Sequence, residues 1–280
     1  MNNRNFKEGT IIKGYELKNY MLCKVLPDDR VMRRFQYKIG MNEDVTPFNI
    51  TGRHKSGLRF CFAGDICSYL DNGTELALIT IPDDEDVYVG HGWLSAYRIV
   101  IEKIISLNEV LGRADGWECL MLNGTDITAV NNYAVAWVAK NGYLDAVKFL
   151  YANGADISAD SSRALRWAAG NGHLEVVKYL HEHGADITAY DNYAVKSAAY
   201  RGHLEVVKYL HGHGADITAD NNCAVKLAAG KGYPEVVKYL CRNGAGITVF
   251  NHFCTPIQAL KIIIWKQLDR CIRKTGTWKY

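Results

Sequence analysis

Four imidazoles stand in phase as two His-x-His pairs, His181-Glu182-His183 and His211-Gly212-His213, thirty residues apart. Imidazole is a good ligand for zinc or copper, and four on one surface would make a metal site. Such ligands need an outer group to fix the tautomer, and the repeat sets no carboxylate or cysteine in phase to orient them. A histidine at the end of a helix has a simpler ground, because the C-terminal dipole favours a cation there. The pairs are therefore expected at the surface, with no metal and no cofactor. Lys148, Lys178, Lys208 and Lys238 form a second ladder, with the look of a phosphate track. Glu175, Glu205 and Glu235 fall three residues before the last three of them and offset their charge on the same helix. Phosphate affinity needs uncompensated charge, so no nucleic-acid partner is expected.

A third set varies where its surroundings repeat. At one-period steps stand Ala136, Arg166, Lys196, Lys226; then Trp137, Trp167, Ser197, Leu227; then Lys140, Gly170, Tyr200, Gly230; then Asn141, Asn171, Arg201, Lys231. Packing dictates the positions that repeat, so those that differ are free to choose a partner. Aromatic and arginine side chains are the usual anchors of interfaces. The candidate partner-binding residues are Arg166, Trp167, Tyr190, Lys196, Tyr200, Arg201, Lys226 and Lys231. Trp137 and Trp167 serve equally well as packing residues.

The elements that must position these residues are short helix pairs. Gly154, Gly184, Gly214 and Gly244 share a phase, as do Gly142, Gly172, Gly202 and Gly232, and Val147, Val177, Val207 and Val237. A constant period with glycine and apolar residues in register is the signature of a solenoid. The polar pairs Asn131-Asn132, Ser161-Ser162, Asp191-Asn192 and Asn221-Asn222 read as caps before a first helix rich in alanine. The second helix starts near His203, where Leu204, Val207 and Leu210 line one face. Pro234 suits the first turn of the last second helix, and His173 and His203 read as structural hydrogen bonders.

Gly-His-Leu-Glu-Val-Val-Lys-Tyr-Leu at 172–180 and 202–210, followed by Gly-Ala-Asp-Ile at 184–187 and 214–217, resembles the second helix and exit loop of the ankyrin repeat. The resemblance recurs over four frames and implies recognition of a protein partner across the concave face of a helical stack. The unit is thirty residues where the family has about thirty-three, and the shortfall lies between Ile187 and Ala194, where the family builds its projecting hairpin. Tyr193-Ala194-Val195-Lys196 stands in place of the usual Thr-Pro-Leu-His. Shortened hairpins shift the expected contact to the first-helix surface.

The first hundred residues do not share the period. Glu75–Ile81 reads as a buried strand ended by Pro82-Asp83-Asp84, and Asp86–Val89 as a further short strand, so a small α+β module is expected over 1–100. Ser56-Gly57-Leu58-Arg59-Phe60 and Ser68-Tyr69-Leu70 resemble, faintly, the nicotinamide pocket of poly-ADP-ribose-polymerase-type transferases, with Glu102 as the conceivable catalytic carboxylate. Arg59 stands where that pocket has a tyrosine, and no histidine occupies 37–40. The same run resembles the amino-terminal regions of ankyrin proteins from giant amoeba viruses of the mimivirus kind. Residues 101–280 are assigned to the repeats: Ile101–Leu107 and Ala114–Leu122 as a degenerate capping repeat over 101–122, four repeats over 123–250, and a C-terminal cap over 251–280 opened by Thr255-Pro256.

With 280 residues and 48% hydrophobic content the chain is ample for folded domains. A net charge of +3 excludes a strong global field for nucleic acid or an anionic membrane. Eight scattered cysteines without a Cys-x-x-Cys pair fit reduced thiols. The polar start lacks a secretory core and no apolar run reaches the length of a membrane span. The expectation is a mainly α, monomeric, non-enzymatic protein, intracellular and acting in a host cytoplasm, whose ankyrin solenoid binds a protein partner. The alternative is an amino-terminal nucleotide-binding or degenerate ADP-ribosyltransferase-like module that the repeats deliver to its target.

Overall fold

The computed structural model describes residues 6–32, 35–44 and 57–246. The chain divides into two compact units, Met1–Val138 with Asp145–Asp156, and Ala139–Leu144 with Ile157–Tyr280.

The first unit is built on strands. β1 (Ile11–Lys13), β2 (Leu22–Leu26), β5 (Gly40–Glu43), β6 (Leu58–Phe62), β7 (Glu75–Thr80), β8 (Asp86–Val89), β9 (Leu94–Ala96) and β10 (Arg98–Ser106) form one sheet. Its order is β1-β8-β9-β6-β2-β7-β10-β5, while β3 (Val31–Met32) and β4 (Phe35–Gln36) form a separate pair among the described residues. Every pairing is antiparallel. Leu22, Leu26, Phe60, Ile79, Leu94, Ile99 and Ile101 are buried in one cluster on this sheet. The two expected strands are present, and the described helical content of the first hundred residues is three 3-10 turns, at Gly14–Leu17, Ala63–Ser68 and Leu70–Asn72.

Ile101–Leu107, expected to open the degenerate capping repeat, is instead the end of β10 as far as Ser106, and only Leu107 is helical. The register of β10 on β7 slips between Ile101 and Lys103, which marks a bulge, and a bulge adds one residue to the two-residue alternation. Ile99, Ile101 and Ile104 therefore face the same core with one step of three between them. That step imitates the i, i+3 spacing of a helix. The first helices are α1 (Leu107–Leu111) and α2 (Ala114–Leu122). Buried Trp117 donates its indole N–H to the Leu111 carbonyl at 2.8 Å. α1 packs on β7 and β10, α2 packs on the turn at Ala63–Ser68, and Thr125 Oγ1 donates to the Ala63 carbonyl at 2.9 Å.

Helix pairs then follow at the thirty-residue step: α3 (Ala129–Lys140) and α4 (Leu144–Ala152), α5 (Ala159–Gly170) and α6 (Leu174–Glu182), α7 (Ala189–Arg201) and α8 (Leu204–Gly212), α9 (Ala219–Lys231) and α10 (Pro234–Arg242). In the second unit α5 packs on α7, α7 on α9, α6 on α8 and α8 on α10. Ala194, Val195, Ala198 and Ala199 bury the inner side of α7, and Val206, Val207 and Leu210 that of α8. Leu204 is only half-buried, so Val206, not foreseen as core, carries the packing in its place. The expected C-terminal cap over 251–280 lies outside the described residues.

The polar pairs ahead of the first helices are not N-caps. Val130-Asn131-Asn132, Asp160-Ser161-Ser162, Tyr190-Asp191-Asn192 and Asp220-Asn221-Asn222 all take left-handed φ and ψ, with φ between 49° and 63°. No side-chain cap bond forms at Ser158, Thr188 or Thr218, which precede the last three of these helices. The third residue of each turn instead reaches the next repeat. Asn132, Asn192 and Asn222 accept through Oδ1 from the backbone N–H of Asp156, Asp216 and Gly246, each at 2.8 Å, and Ser162 Oγ accepts from Asp186 N–H at 2.9 Å.

Gly172 has φ +82°, and a Cβ there would meet the His203 ring at 2.5 Å; Gly184 has φ +100° and open space around it. Gly184→Ala is expected to cost about 1–2 kcal/mol of backbone strain. Gly172→Ala should cost about 1–3 kcal/mol more through overpacking, as denaturant midpoints of the two variants will read. Asn192→Ala should lose about 1–3 kcal/mol, and Asn192→Gly, which keeps the left-handed turn, only the hydrogen bond's share of about 1 kcal/mol. Equal losses in these two variants would contradict the assignment.

Candidate partner-binding face

Because α5, α7 and α9 lie side by side, their outward residues form one face, and its members pair across repeats. Arg166 fixes its own turn first: Nε donates to the Ser161 carbonyl at 2.9 Å and Nη2 to that of Asp160 at 2.7 Å. Its guanidinium carbon then lies 4.9 Å from the ring centre of Tyr190 and 5.6 Å from that of Tyr193, both one repeat on. Such cation–π contacts contribute about 0.5–1 kcal/mol at exposed sites. Tyr190 is 66% exposed and meets Tyr193 edge-on.

Lys196 is largely covered, its side chain 13% exposed between Asp191 at 3.1 Å and Asp220 of the next repeat at 3.6 Å. Burial pulls its pKa down, but the hydrogen bond it donates to Asp191 and the fields of both carboxylates outweigh this and hold it above the ordinary lysine value. Nearby Cys223 is pushed above the usual thiol range by burial first and by Asp220 second, with Lys196 and Lys226 opposing. Tyr200 carries the Lys231 ammonium 4.6 Å above its ring centre, and the Tyr200 hydroxyl raises the lysine's pKa. Arg201 Nη1 donates to Asn171 Oδ1 at 2.6 Å, one repeat back.

The predicted residues thus fall into cross-repeat sets: Arg166 with Tyr190, Tyr200 with Lys231, and Lys196 with two aspartates. Lys226 is half-buried on α9. Trp167 is half-buried, with Lys140 and Arg163 over its ring at 5.2 and 5.6 Å, while Trp137 is buried and acts in packing. Sequence reasoning missed Tyr193, whose place beside the left-handed turn gives it an outward position, and the aspartates of the turns, which were read as caps.

On the second helices Lys178 and Lys208 bond Glu175 and Glu205 at 2.7 Å, and Lys238 stands 4.0 Å from Glu235, as the sequence implies. The histidine pairs are hydrogen-bonded within the protein. His181 and His211 Nδ1 meet the hydroxyls of Tyr209 and Tyr239 at 3.0 and 2.8 Å. His183 and His213 Nδ1 donate to the carbonyls of Tyr179 and Tyr209 at 2.7 Å. Among the described residues no group of three or more His, Cys, Asp or Glu is gathered as a metal site requires. His173 Nε2 bonds the Lys140 carbonyl at 3.0 Å.

In the sheet, Arg59 on β6 lies over the Trp93 ring at 4.4 Å. Glu102, at the bulge of β10, accepts from Thr80 Oγ1 at 2.6 Å. β2 and β7 separate the two strands, about 14 Å at ordinary strand spacing. Among the described residues no helix is long and apolar enough to cross a membrane, and the described cysteines are all free thiols.

A family model for ankyrin repeats matches residues 110–191 and 189–251. An ankyrin repeat protein of Acanthamoeba polyphaga mimivirus is 35% identical over 132 residues, a stretch that makes up 46% of this chain and 40% of the relative.

Burial in the turn between α7 and α8 lowers the pKa of His203 below the ordinary 6.5, against a bond to the Gly170 carbonyl that raises it and with Arg201 and His173 lowering it further. A histidine held neutral gives stability that is full above pH ~6.5 and lost as the pH falls through that value toward the folded pKa. The slope for one proton is at most about 1.4 kcal/mol per pH unit. His203→Tyr, which copies the ring of Tyr233 in the next repeat, should flatten the fall in melting temperature between about pH 7 and about pH 5, the span over which histidine gains its charge.

Proposed function

We propose that this chain, which belongs to the ankyrin-repeat family, is a non-enzymatic interaction protein that binds a protein partner across the first-helix face, the concave side of a helical solenoid. The observation that carries this reading is the gathering of repeat-to-repeat variation on α5, α7 and α9, where cations and tyrosines pair across repeats. Cross-repeat pairing holds Arg166, Lys231 and Arg201 in place before a partner arrives, so little side-chain entropy is lost on binding. Recognition then rests on a rigid surface with a few anchors. The distance between Arg59 and Glu102 gives no support to an ADP-ribosyltransferase-like sheet, whose role we read as a platform for the first repeats. The likeness to a mimivirus protein supports a host-cell partner met inside the cell, and we read the chain as acting as a monomer.

The reading is tested by affinity capture from Acanthamoeba lysate with the whole chain and with the Tyr200→Ala/Arg201→Ala double variant. The expected result is a protein retained by the parent and reduced about tenfold or more by the variant, the loss of one anchor, with helicity unchanged by circular dichroism. Capture that ignores both substitutions would turn the repeats into a spacer.

A further inference from the structure

We infer that the first-helix face takes an extended acidic peptide segment whose carboxylates recur about every third residue, an inference that rests on the reading of this face as a partner-binding surface. Charge is the first ground. α5, α7 and α9 carry six Lys or Arg against three Asp, whereas α6, α8 and α10 carry four against four. The three aspartates are already engaged: Asp160 pairs with Arg163, and Asp191 and Asp220 flank Lys196. Asp186 and Asp216, in the loops ahead of α7 and α9, accept from the N–H and hydroxyl of Thr188 and Thr218. Arg166, Arg201, Lys226 and Lys231 are left with no carboxylate partner among the described residues, and their hydrogen bonds, where present, go to neutral oxygens. A carboxylate from outside supplies the charge these four lack.

Spacing is the second ground. Helices packed side by side stand about 8–10 Å apart, and a chain extended in the polyproline II conformation advances about 3.1 Å per residue with about three residues per turn, so that every third side chain returns to the same side. One repeat therefore corresponds to about three residues of a peptide laid across α5, α7 and α9. Acids at every third position would meet one repeat after another, with the rings of Tyr190 and Tyr200 flanking the path. A nucleic-acid strand fits less well, because its affinity is built on many neutralised phosphates, about 6–10 in a strong site, and this face offers four uncompensated cations interleaved with aspartates.

The test is fluorescence anisotropy of the full chain with labelled peptides of about twelve residues, enough to cross three helices at about three residues each with a margin at the ends. One probe carries Glu at every third position among Gly and Ser, a second has the same composition with the Glu residues contiguous, and a third probe is oligo-dT. The spaced peptide should bind about tenfold tighter than the contiguous one and lose about tenfold in Lys226→Gln/Lys231→Gln, the scale of one charge-assisted hydrogen bond. Lys208→Gln/Lys238→Gln, on the second helices, should leave binding unchanged, and circular dichroism should report the same helicity for both variants. Equal binding of the two peptides would overturn the register, and tighter binding of oligo-dT would overturn the ligand class. If no peptide binds while capture from lysate still depends on Tyr200 and Arg201, the acidic ligand is wrong and the partner-binding face stands.

Discussion

The helical part of this protein depends on one hydrogen bond made over and over, from a backbone N–H to the side-chain oxygen of the residue that closes the left-handed turn in the repeat before it. Three consecutive left-handed residues cost about 1–2 kcal/mol each for ordinary L-residues, least for Asn and Asp. That cost explains the composition of the turns, where Asn and Asp predominate and Ser fills two of the remaining places. It is offset by what the turn achieves. The third residue donates its own N–H to the carbonyl four residues back, Asn192 to Thr188 and Asn222 to Thr218 at 2.8 Å, while its side chain holds the next repeat. One residue thus closes a turn and joins two neighbours, in a unit shorter than the family's usual length.

The rest of the packing runs along the same line. At the turn between helices each glycine is pressed by the ring that follows it one repeat later: Gly142 by His173, Gly172 by His203, Gly202 by Tyr233. A side chain on any of these glycines would separate the turns that the rings bridge. On the second helices the His181–Tyr209 and His211–Tyr239 bonds continue the pattern. Backbone, ring and hydroxyl contacts all join a residue to its counterpart about one period away, so nearest-neighbour coupling is what stabilises the stack.

Glycine and valine phases made the repeat legible from sequence, because those residues answer to packing and packing is the same in every unit. The turns were not legible in the same way. Asn, Asp and Ser before an apolar helix satisfy the chemistry of an N-cap as well as that of a left-handed turn, and only the missing three residues hinted at which applied. The end of β10 was misread for a related reason, since the bulge at Glu102 gives strand isoleucines a helical spacing. Variation between repeats pointed to the first-helix face, but not to which of its residues face one another. Those pairings depend on how far one helix is offset from the next, and a single unit of sequence does not contain that distance.

The pairings change what the variable residues mean. Read singly, Lys196 is a cation available to a partner; between Asp191 and Asp220 it is a link between repeats, and Asp220 varies with it as part of the same contact. Arg166 is likewise committed to two carbonyls and two rings, and its remaining freedom is the side of the guanidinium turned to solvent. Of the candidate residues in this network, Tyr190, Tyr200, Arg201 and Lys231 are the exposed ones. A substitution inside that network disturbs the contacts between repeats as well as the surface they present, because neighbours in contact couple.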